Sequence, residues 1–369
     1  MTPTIGIGLV GYGAIGRLHA SVIQLLPQLY PTLSVRPQLV ALCAGGPRSQ
    51  ANAQRDYPQV PQVTWPELLA LPQVDIVAIC TPTAMHADQV HAALSADKHV
   101  MCEKPLTVNP SQSVELVSLA AARQRLLVLN HHFRRIPAIS EARRLIAQGH
   151  LGAAISAHMR YFRASNVAAD RPVTWRFHGD AGGVLVDLGS HLIDLCHYLF
   201  DSPIVRVQAQ LHTAIPQRPD GHGGMATIVS DDVAWLNAQL ANGMRVTIEA
   251  SKMVPGAADD IRIEAYGQRG SLIFDTHNAN ALTIGTAAQA AAMQQTMHWN
   301  RQPHPASLPS AETATGIWSW HAAAWETMLA TLAGETRILC DGAAGLAVDR
   351  VIVAARTSAA QGNTWVEVA

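Results

Sequence analysis

The segment "IGIGLVGYGAIGRLHA", residues 5–20, decides the fold of the amino-terminal part of the chain. Its first six residues form a short apolar run that predicts a buried strand, and its last seven begin a pattern with helical spacing. Between them, Gly11, Gly13 and Gly16 match the Gly-x-Gly-x-x-Gly pattern of a dinucleotide-binding turn. An overlapping match starts at Gly6, but only the match from Gly11 lies between a strand and a helix.

Each glycine of this turn has a separate physical reason. Gly11 permits the tight turn, Gly13 lets the backbone approach a pyrophosphate, and Gly16 lets helix and strand pack closely. The first helical residues, Ala14 and Ile15, offer free N–H groups to the phosphates. The pattern therefore predicts dinucleotide binding, and a purely structural glycine turn is the alternative.

The chain up to about residue 130 alternates short apolar runs with helical stretches. Continuous apolar strands separated by helices are typical of a parallel sheet covered on both faces. We therefore expect a doubly wound α/β Rossmann domain over residues 1–133. Residues 27–38, "PQLYPTLSVRPQ", predict an unusually long loop with no motif to interpret.

After residue 135 the runs alternate apolar and polar residues, as in "MRVTIEASK", and turn sequences such as "ANGMR" separate them. This pattern predicts an α+β domain with an open, mainly antiparallel sheet over residues 134–369. Two helices are expected near its end, over 321–333 and 343–360, the second packing back on the first domain.

Composition excludes several classes of function. The 369 residues carry 26 Lys and Arg against 27 Asp and Glu, a balance that argues against nucleic acid as the main partner. Five widely spaced cysteines form no Cys-x-x-Cys pair, and no apolar run is long enough to cross a membrane. We expect a soluble protein in the reducing cytoplasm, without a membrane partner.

The end of the second strand bears on cofactor choice. NAD-preferring sites place an Asp or Glu there to bind the ribose hydroxyls. This chain instead has small residues from Ala44 onward, followed by Arg48 and Ser49, which could hold a 2′-phosphate. NADP(H) is therefore favoured and NAD(H) remains possible; alternatively, Arg48 only begins a solvated helix.

The stretch "HVMCEKPLTV", residues 99–108, ends an apolar strand with Glu103, Lys104 and Pro105. Pro105 disfavours the helical conformation at Lys104, so the lysine is held at the carboxyl edge of the sheet, where ligands bind. The sequence does not decide whether the Lys104–Pro105 bond is cis. The neighbouring strand ends in "CTPTAMH", which predicts further cofactor contacts from Thr81, Pro82, Thr83 and His86.

Asp187 and His191 lie four residues apart in "AGGVLVDLGSHLIDLCHYLFD", a spacing that places both on one face of a helix. A carboxylate beside an imidazole suits proton transfer near neutral pH. From the spacing alone three interpretations stay open: a catalytic acid–base pair, a metal site completed by Asp194 or His197, and a structural pair.

Together, "GLVGYGAIGRLHA", "HVMCEKPLTV" and "GGVLVDLGSHLIDL" resemble the Gfo/Idh/MocA oxidoreductase family in order and spacing. The resemblance implies a Rossmann domain followed by a substrate domain, without a metal. It also implies NAD(P)-dependent oxidation or reduction of a sugar or cyclitol hydroxyl. The implied catalytic residues are Lys104, Asp187 and His191, and "TWRF" implies Trp175 and Arg176 near the cofactor.

The resulting hypothesis makes His191 the general base, with Lys104 bonded to the reacting oxygen and Asp187 holding both in place. Glu103 either orients Lys104 or faces the cofactor. Arg163 and Asn166 are candidates for substrate binding, with a structural role as the alternative.

Two rival functions remain open. One is a non-catalytic NAD(P)-binding sensor, and the other is a glycoside-cleaving or eliminating enzyme with a tightly bound, recycled nicotinamide. Exposed sheet faces predict a homodimer or homotetramer. The sequence does not identify the substrate or the direction of reaction.

Overall fold

The computed structural model describes residues 2–287, 295–298 and 316–369. This part of the chain divides into two compact units. The first comprises residues up to 135 together with a carboxy-terminal stretch ending at 346, and the second comprises the chain from 136 onward and from 347 to the end.

The helices, in chain order, are α1 Ala14–Leu29, α2 Pro47–Asp56, α3 Trp65–Ala70, α4 His86–Ser95, α5 Pro110–Ala122, α6 Pro137–Ala147, α7 Ser190–Phe200, α8 Ile317–Leu332 and α9 Gly342–Ala360. The strands are β1 Thr4–Val10, β2 Arg36–Cys43, β3 Ile76–Ile79, β4 His99–Cys102, β5 Leu127–Leu129, β6 Ala154–Phe162, β7 Ile204–His212, β8 Gln217–Pro219, β9 Met225–Thr227, β10 Val233–Leu240, β11 Arg245–Ser251, β12 Asp260–Gly267, β13 Gly270–Asp275, β14 Ala281–Thr286, β15 Gln295–His298 and β16 Val366–Glu367.

The first unit is built on a parallel sheet with strand order β2-β1-β3-β4-β5. Strand β3 is buried along its whole length, which explains its continuous apolar sequence. All strands point the same way, so the carboxyl ends of β1, β3 and β4 meet at one edge of the sheet. The predicted Rossmann fold is confirmed.

Helix α8 belongs to this first unit although it lies about 300 residues beyond α1 in the sequence. Its fully buried Trp325, Met328 and Leu329 share one apolar cluster with Ile23 and Leu26 of α1. The chain passes from the first unit to the second within α9, and the packing of 343–360 on the first domain stays a prediction.

The predicted loop over 27–38 is wrong. Helix α1 continues through Pro27 to Leu29, and β2 begins at Arg36. Pro27 donates no amide hydrogen bond, but the helix still closes after it, since the amide of Tyr30 bonds the carbonyl of Leu26 at 2.8 Å. The connection is therefore short.

The second unit is built on a nine-stranded sheet with order β15-β14-β13-β12-β6-β11-β10-β7-β16. Its strand pairs are antiparallel except for β6 with β11, so the expected open, mainly antiparallel sheet is confirmed. Along β6, Met159 and Tyr161 are buried while His158 and Arg160 are exposed. None of the described helices has the length and apolar character needed to cross a membrane.

Candidate active site

The glycine turn of the first unit has the backbone geometry that its sequence predicts. Gly11 has a φ of 89°, a conformation that other residues rarely adopt. A Cβ atom at Gly16 would lie 1.9 Å from the carbonyl oxygen of Gly11, so only glycine permits this approach of helix and turn. A Cβ atom at Gly13 would meet no atom within 4 Å. Gly13 therefore faces open space on the side where a ligand can approach.

This turn fits a dinucleotide. Gly13 precedes α1, and no side chain caps the helix there, so the first-turn amides at Ala14 and Ile15 face outward for an anion. The open side of Gly13 provides the close backbone approach that a pyrophosphate needs.

The end of β2 leaves room beside the adenosine end of such a ligand. Cys43 ends the strand, and helix α2 begins at Pro47 after Gly46, whose φ is 64°. A Cβ atom at either Gly45 or Gly46 would meet nothing within 4 Å. Arg48 is exposed in the first turn of α2, where a guanidinium group can reach a phosphate.

The segment after β3 is held mainly by hydrogen bonds to other residues of the first unit. The Thr81 hydroxyl donates to Gln89 at 2.6 Å, and Thr83 is buried. His86 is 1% exposed, with Nδ1 2.8 Å from the carbonyl of Pro105 and Nε2 3.0 Å from that of Thr81. The His86 ring thus links the ends of β3 and β4, and both of its nitrogens are used within this unit. The cofactor site proposed below therefore does not include His86.

Glu103 lies in a buried hydrogen-bond network that involves α1, β4 and α8. Its Oε1 is 2.9 Å from Nε2 of His19 and 2.6 Å from Nδ2 of Asn130. On the other side of the ring, the indole N–H of Trp325 donates to Nδ1 of His19 at 2.9 Å. Since the indole can only donate, His19 accepts at Nδ1 and carries its proton on Nε2, which donates to Glu103.

The network determines the charge and the position of the Glu103 side chain. Burial alone would raise the pKa of its carboxyl, but the hydrogen bonds from His19 and Asn130 and the nearby imidazoles of His19 and His321 outweigh burial and hold that pKa well below its usual range. Glu103 is therefore ionised and anchored directly before Lys104. The following Lys104–Pro105 bond is cis.

The cluster of His19, Glu103 and His321 has metal-ligand spacing, but its hydrogen bonds argue against a metal. Because Trp325 donates to Nδ1, a metal on Nε2 of His19 would require the imidazole to lose its only proton. Burial lowers the pKa of His321 to about 4, so this ring is neutral at pH 7.

In the second unit, Asp187 and His191 do not lie on one regular helix. Residues Leu185–Gly189 form a π-helical turn, and His191 follows at the start of α7. The carboxylate of Asp231 accepts from the amide of Leu185 at 2.7 Å and thereby orients this turn. A π-helical turn contains about one residue more than an α-helical turn, so the four-residue spacing does not have its regular helical meaning here. Such turns are frequent at functional sites.

Asp187 has a partner that sequence reasoning missed. The ammonium group of Lys252 lies 2.7 Å from Oδ2 of Asp187, and Nε of Arg176 lies 3.6 Å from the same oxygen. Lys252 is 4% exposed and directly follows β11. A signal existed, since Lys252 ends an alternating run in "EASK" just as Lys104 ends an apolar one.

His191 is buried beside Tyr161, with ring centroids 6.2 Å apart. The Tyr161 hydroxyl donates to Asp259 at 2.5 Å. Burial, together with the charge of Asp259, raises the pKa of Tyr161 well above its usual value, so the phenol stays protonated. Among the described residues, no group with metal-ligand spacing contains both Asp187 and His191.

The two predicted substrate contacts differ. The side-chain amide of Asn166 donates to Asp232 at 2.7 Å and accepts from Arg171 at 3.0 Å, so both of its ends are used inside the unit. We do not carry Asn166 into the proposed substrate site. Arg163 is 3.4 Å from Asp259 through Nε and is partly exposed. Arg176 stacks on Trp175 with 4.4 Å between its guanidinium carbon and the ring centroid.

Comparison with known proteins extends these observations. Residues 5–131 match the family described as "Oxidoreductase family, NAD-binding Rossmann fold", and residues 139–273 match the "GFO/IDH/MocA C-terminal domain". The uncharacterized oxidoreductase YdgJ of Escherichia coli is 32% identical over 280 residues, which cover 74% of this chain and 72% of YdgJ. Levoglucosan dehydrogenase of Pseudarthrobacter phenanthrenivorans is 26% identical, over 78% of this chain and 77% of its own.

Solved structures agree with this result. An oxidoreductase domain protein from Kribbella flavida has a TM-score of 0.92 and 28% identity, with both chains fully covered. A levoglucosan dehydrogenase in complex with NADH and levoglucosan has the same TM-score and 25% identity, with 99% of both chains covered. The chain belongs to the Gfo/Idh/MocA family of oxidoreductases and contains its NAD-binding Rossmann domain.

Proposed function

We propose that this family member is an NAD(P)-dependent dehydrogenase or reductase acting on a hydroxyl or carbonyl group of a sugar, cyclitol or sugar derivative. The observation that carries the proposal is the turn at Gly11 to Gly16, whose open side at Gly13 fits a dinucleotide. The relatives support the substrate class, because one of them is a levoglucosan dehydrogenase.

We propose the following roles for the side chains. His191 accepts the hydroxyl proton as general base, while Lys104 donates a hydrogen bond to the reacting oxygen and stabilises its developing negative charge. Asp187, held by Lys252 at 2.7 Å, orients and electrostatically supports this proton transfer. The bound nicotinamide supplies the hydride chemistry, and the protein binds, orients and polarises.

We also propose that NADP(H) is preferred over NAD(H). Support comes from the missing carboxylate after β2, the open space at Gly45 and Gly46, and the exposed Arg48. The preference requires tighter binding of NADPH than of NADH in a fluorescence titration. Equal affinities would contradict it and leave the proposed reaction untouched.

A spectrophotometric screen of NAD and NADP against sugars, cyclitols and anhydrosugars tests the proposed reaction. We expect cofactor reduction with at least one member of the panel. If the protein binds NAD or NADP but no compound of the panel leads to reduction of the cofactor, the sensor function gains support. If it copurifies with nicotinamide and cleaves glycosides without net cofactor turnover, the eliminating function does.

Self-association and a cytoplasmic location complete the proposal. None of the five cysteines, all of which the structure describes, forms a disulfide, as suits a reducing compartment. Trp235 lies on the face of the nine-stranded sheet that carries His158 and Arg160, and it is 39% exposed. Light scattering should give a mass of two or four chains; a monomer would contradict self-association.

A further inference from the structure

The turn that carries Asp187 is held at its start by one buried residue. Asp231 is 7% exposed and lies two residues before β10. Its Oδ2 accepts from the amide of Leu185 at 2.7 Å, and its main-chain carbonyl accepts from the amide of Val184 at 2.9 Å. The amides at the start of a helical turn have no acceptor within the turn. Asp231 therefore supplies two of these acceptors from a distant part of the chain.

The carboxylate of Asp231 also lies directly against Gly183. Gly183 has a φ of 94°, and a Cβ atom there would lie 2.2 Å from Oδ1 of Asp231. Only glycine permits this approach in this conformation. The carbonyl of Gly183 in turn accepts from the amide of Asp187 at 3.1 Å. The position of the Asp231 carboxylate is thus transmitted to Asp187 through a single residue.

The neighbouring residue, Asp232, fixes the partner of Asp187. The carbonyl of Asp232 accepts from the amide of Lys252 at 3.0 Å, where β10 pairs with β11. Two consecutive residues, Asp231 and Asp232, therefore hold the backbones on both sides of the ion pair. The side chains of Asp187 and Lys252 meet between them at 2.7 Å.

We propose that Asp231 is a positioning residue for the reaction, which acts through Asp187 by holding its turn in register with Lys252. Both carboxylate oxygens of Asp231 lie against the turn, so its effect on the chemistry is indirect. Small displacements of a catalytic group lower the rate strongly, because proton transfer and charge stabilisation depend on geometry. The inference rests on the proposed function, since the role of Asp187 is assigned there.

Hydrogen–deuterium exchange, measured by mass spectrometry of peptides, tests the hold on the turn without any turnover. In Asp231→Ala the amide of Leu185 loses its acceptor, so residues 183–191 should exchange at least about tenfold faster, while β11 keeps its rate. Asp231→Asn retains an oxygen acceptor and should keep most of the protection. The matched control is Asp220→Ala, which removes an exposed aspartate bonded to the amides of His222 and Gly224 and should leave 183–191 unchanged.

Steady-state kinetics on a substrate found in the screen separate positioning from a loss of stability. Asp231→Ala should lower kcat at least about tenfold, with KM and cofactor affinity within about threefold. Asp231→Asn should bring kcat back to within about threefold of the wild type, and Asp220→Ala should not change it. Gly183→Ala displaces the same carboxylate through its Cβ atom and should also lower kcat. This variant tests the inference even if Asp231→Ala does not fold.

Three results would overturn the inference. One is an unchanged kcat in Asp231→Ala or, if that variant does not fold, in Gly183→Ala, because the contact then serves stability alone. Another is wild-type exchange of 183–191 in Asp231→Ala. The third is an Asp231→Asn variant as impaired as Asp231→Ala, since the charge and not the hydrogen bond would then be required. Faster exchange of 183–191 in a protein that reduces no cofactor with any compound would instead refute the proposed reaction, while confirming that Asp231 holds the turn.

Discussion

The indole N–H of Trp325 donates a hydrogen bond to Nδ1 of His19 over 2.9 Å, joining side chains 306 residues apart. This bond sets the tautomer of His19. The single ring proton of His19 is therefore on Nε2 and faces Glu103, the residue before Lys104. Helix α8 is thus connected to the end of β4 by a buried chain of hydrogen bonds.

Trp325→Phe should lower stability by about 2 kcal/mol, since it leaves Nδ1 of His19 buried without its donor. Thermal unfolding measures the loss, and the exposed Trp318→Phe on the same helix should leave Tm unchanged.

The glycine turn makes two opposite predictions. Gly13→Ala should cost less than about 1 kcal/mol of stability, because its Cβ meets no atom within 4 Å, but should weaken cofactor binding at least about tenfold. Gly16→Ala should destabilise the protein by about 3 kcal/mol, since its Cβ would lie 1.9 Å from a backbone oxygen. Calorimetric unfolding and cofactor titration of both variants measure these effects. Unchanged cofactor affinity in Gly13→Ala would remove the pyrophosphate from this turn.

Stability should fall as pH falls from about 6.5 towards about 4. Burial lowers the pKa of His321 to about 4 in the folded chain, whereas an unfolded histidine titrates near 6.5. Between about pH 4 and 6.5 the unfolded chain binds more protons at His321 than the folded chain does, so the free energy of unfolding rises with pH. Above about pH 6.5 this histidine no longer changes the stability. Denaturant unfolding should show a slope of up to about 1.4 kcal/mol per pH unit from this group.

His321→Gln should flatten that slope, whereas the exposed His178→Gln should keep it. Glu103 acts at lower pH. Its folded pKa is depressed, so its contribution is complete above about pH 4.3 and is lost as pH falls further towards the folded pKa. A variant His321→Gln with an unaltered slope would show that other groups cause the pH dependence.

The proposed catalytic roles predict a loss of turnover without a loss of cofactor. Lys104→Ala and His191→Ala should each lower kcat at least about 100-fold on a substrate found in the screen. Cofactor affinity, measured by nicotinamide fluorescence, should stay within about threefold, because binding at the glycine turn does not depend on either side chain. A near-normal kcat for His191→Ala would exclude it as the general base.

Lys252 should be needed both for stability and for turnover. In Lys252→Met the carboxylate of Asp187 loses its 2.7 Å partner, so we expect a loss of about 2 kcal/mol and a shifted pH profile of kcat. Lys252→Arg should recover part of both. Lys98→Met, which removes a lysine bonded to the carbonyl of Leu71, is the control and should leave the pH profile intact. An unshifted profile in Lys252→Met would reduce this lysine to a structural role.

The sequence predicted the backbone geometry of the glycine turn better than the surroundings of the catalytic candidates. Gly11, Gly13 and Gly16 act through the backbone, so their spacing alone carries the geometry found at the turn. The roles of His86 and Asn166 depend on hydrogen bonds to residues or carbonyls distant in sequence, and spacing could not show that their polar atoms are used internally. Lys252 was missed for the same reason, since Asp187 is 65 residues away from it.

Local patterns determined the Rossmann sheet, the mainly antiparallel second sheet and the dinucleotide turn, because strand and helix periodicity and glycine conformations depend on neighbours in the chain. Only the tertiary structure decided that α8 joins the first unit, that Trp325 sets the tautomer of His19, and that Lys252 binds Asp187. These features arise from burial and pairing between distant segments. A hydrogen bond or an ion pair favours one particular partner over water only where packing excludes water. The order of residues along the chain does not specify where that exclusion occurs.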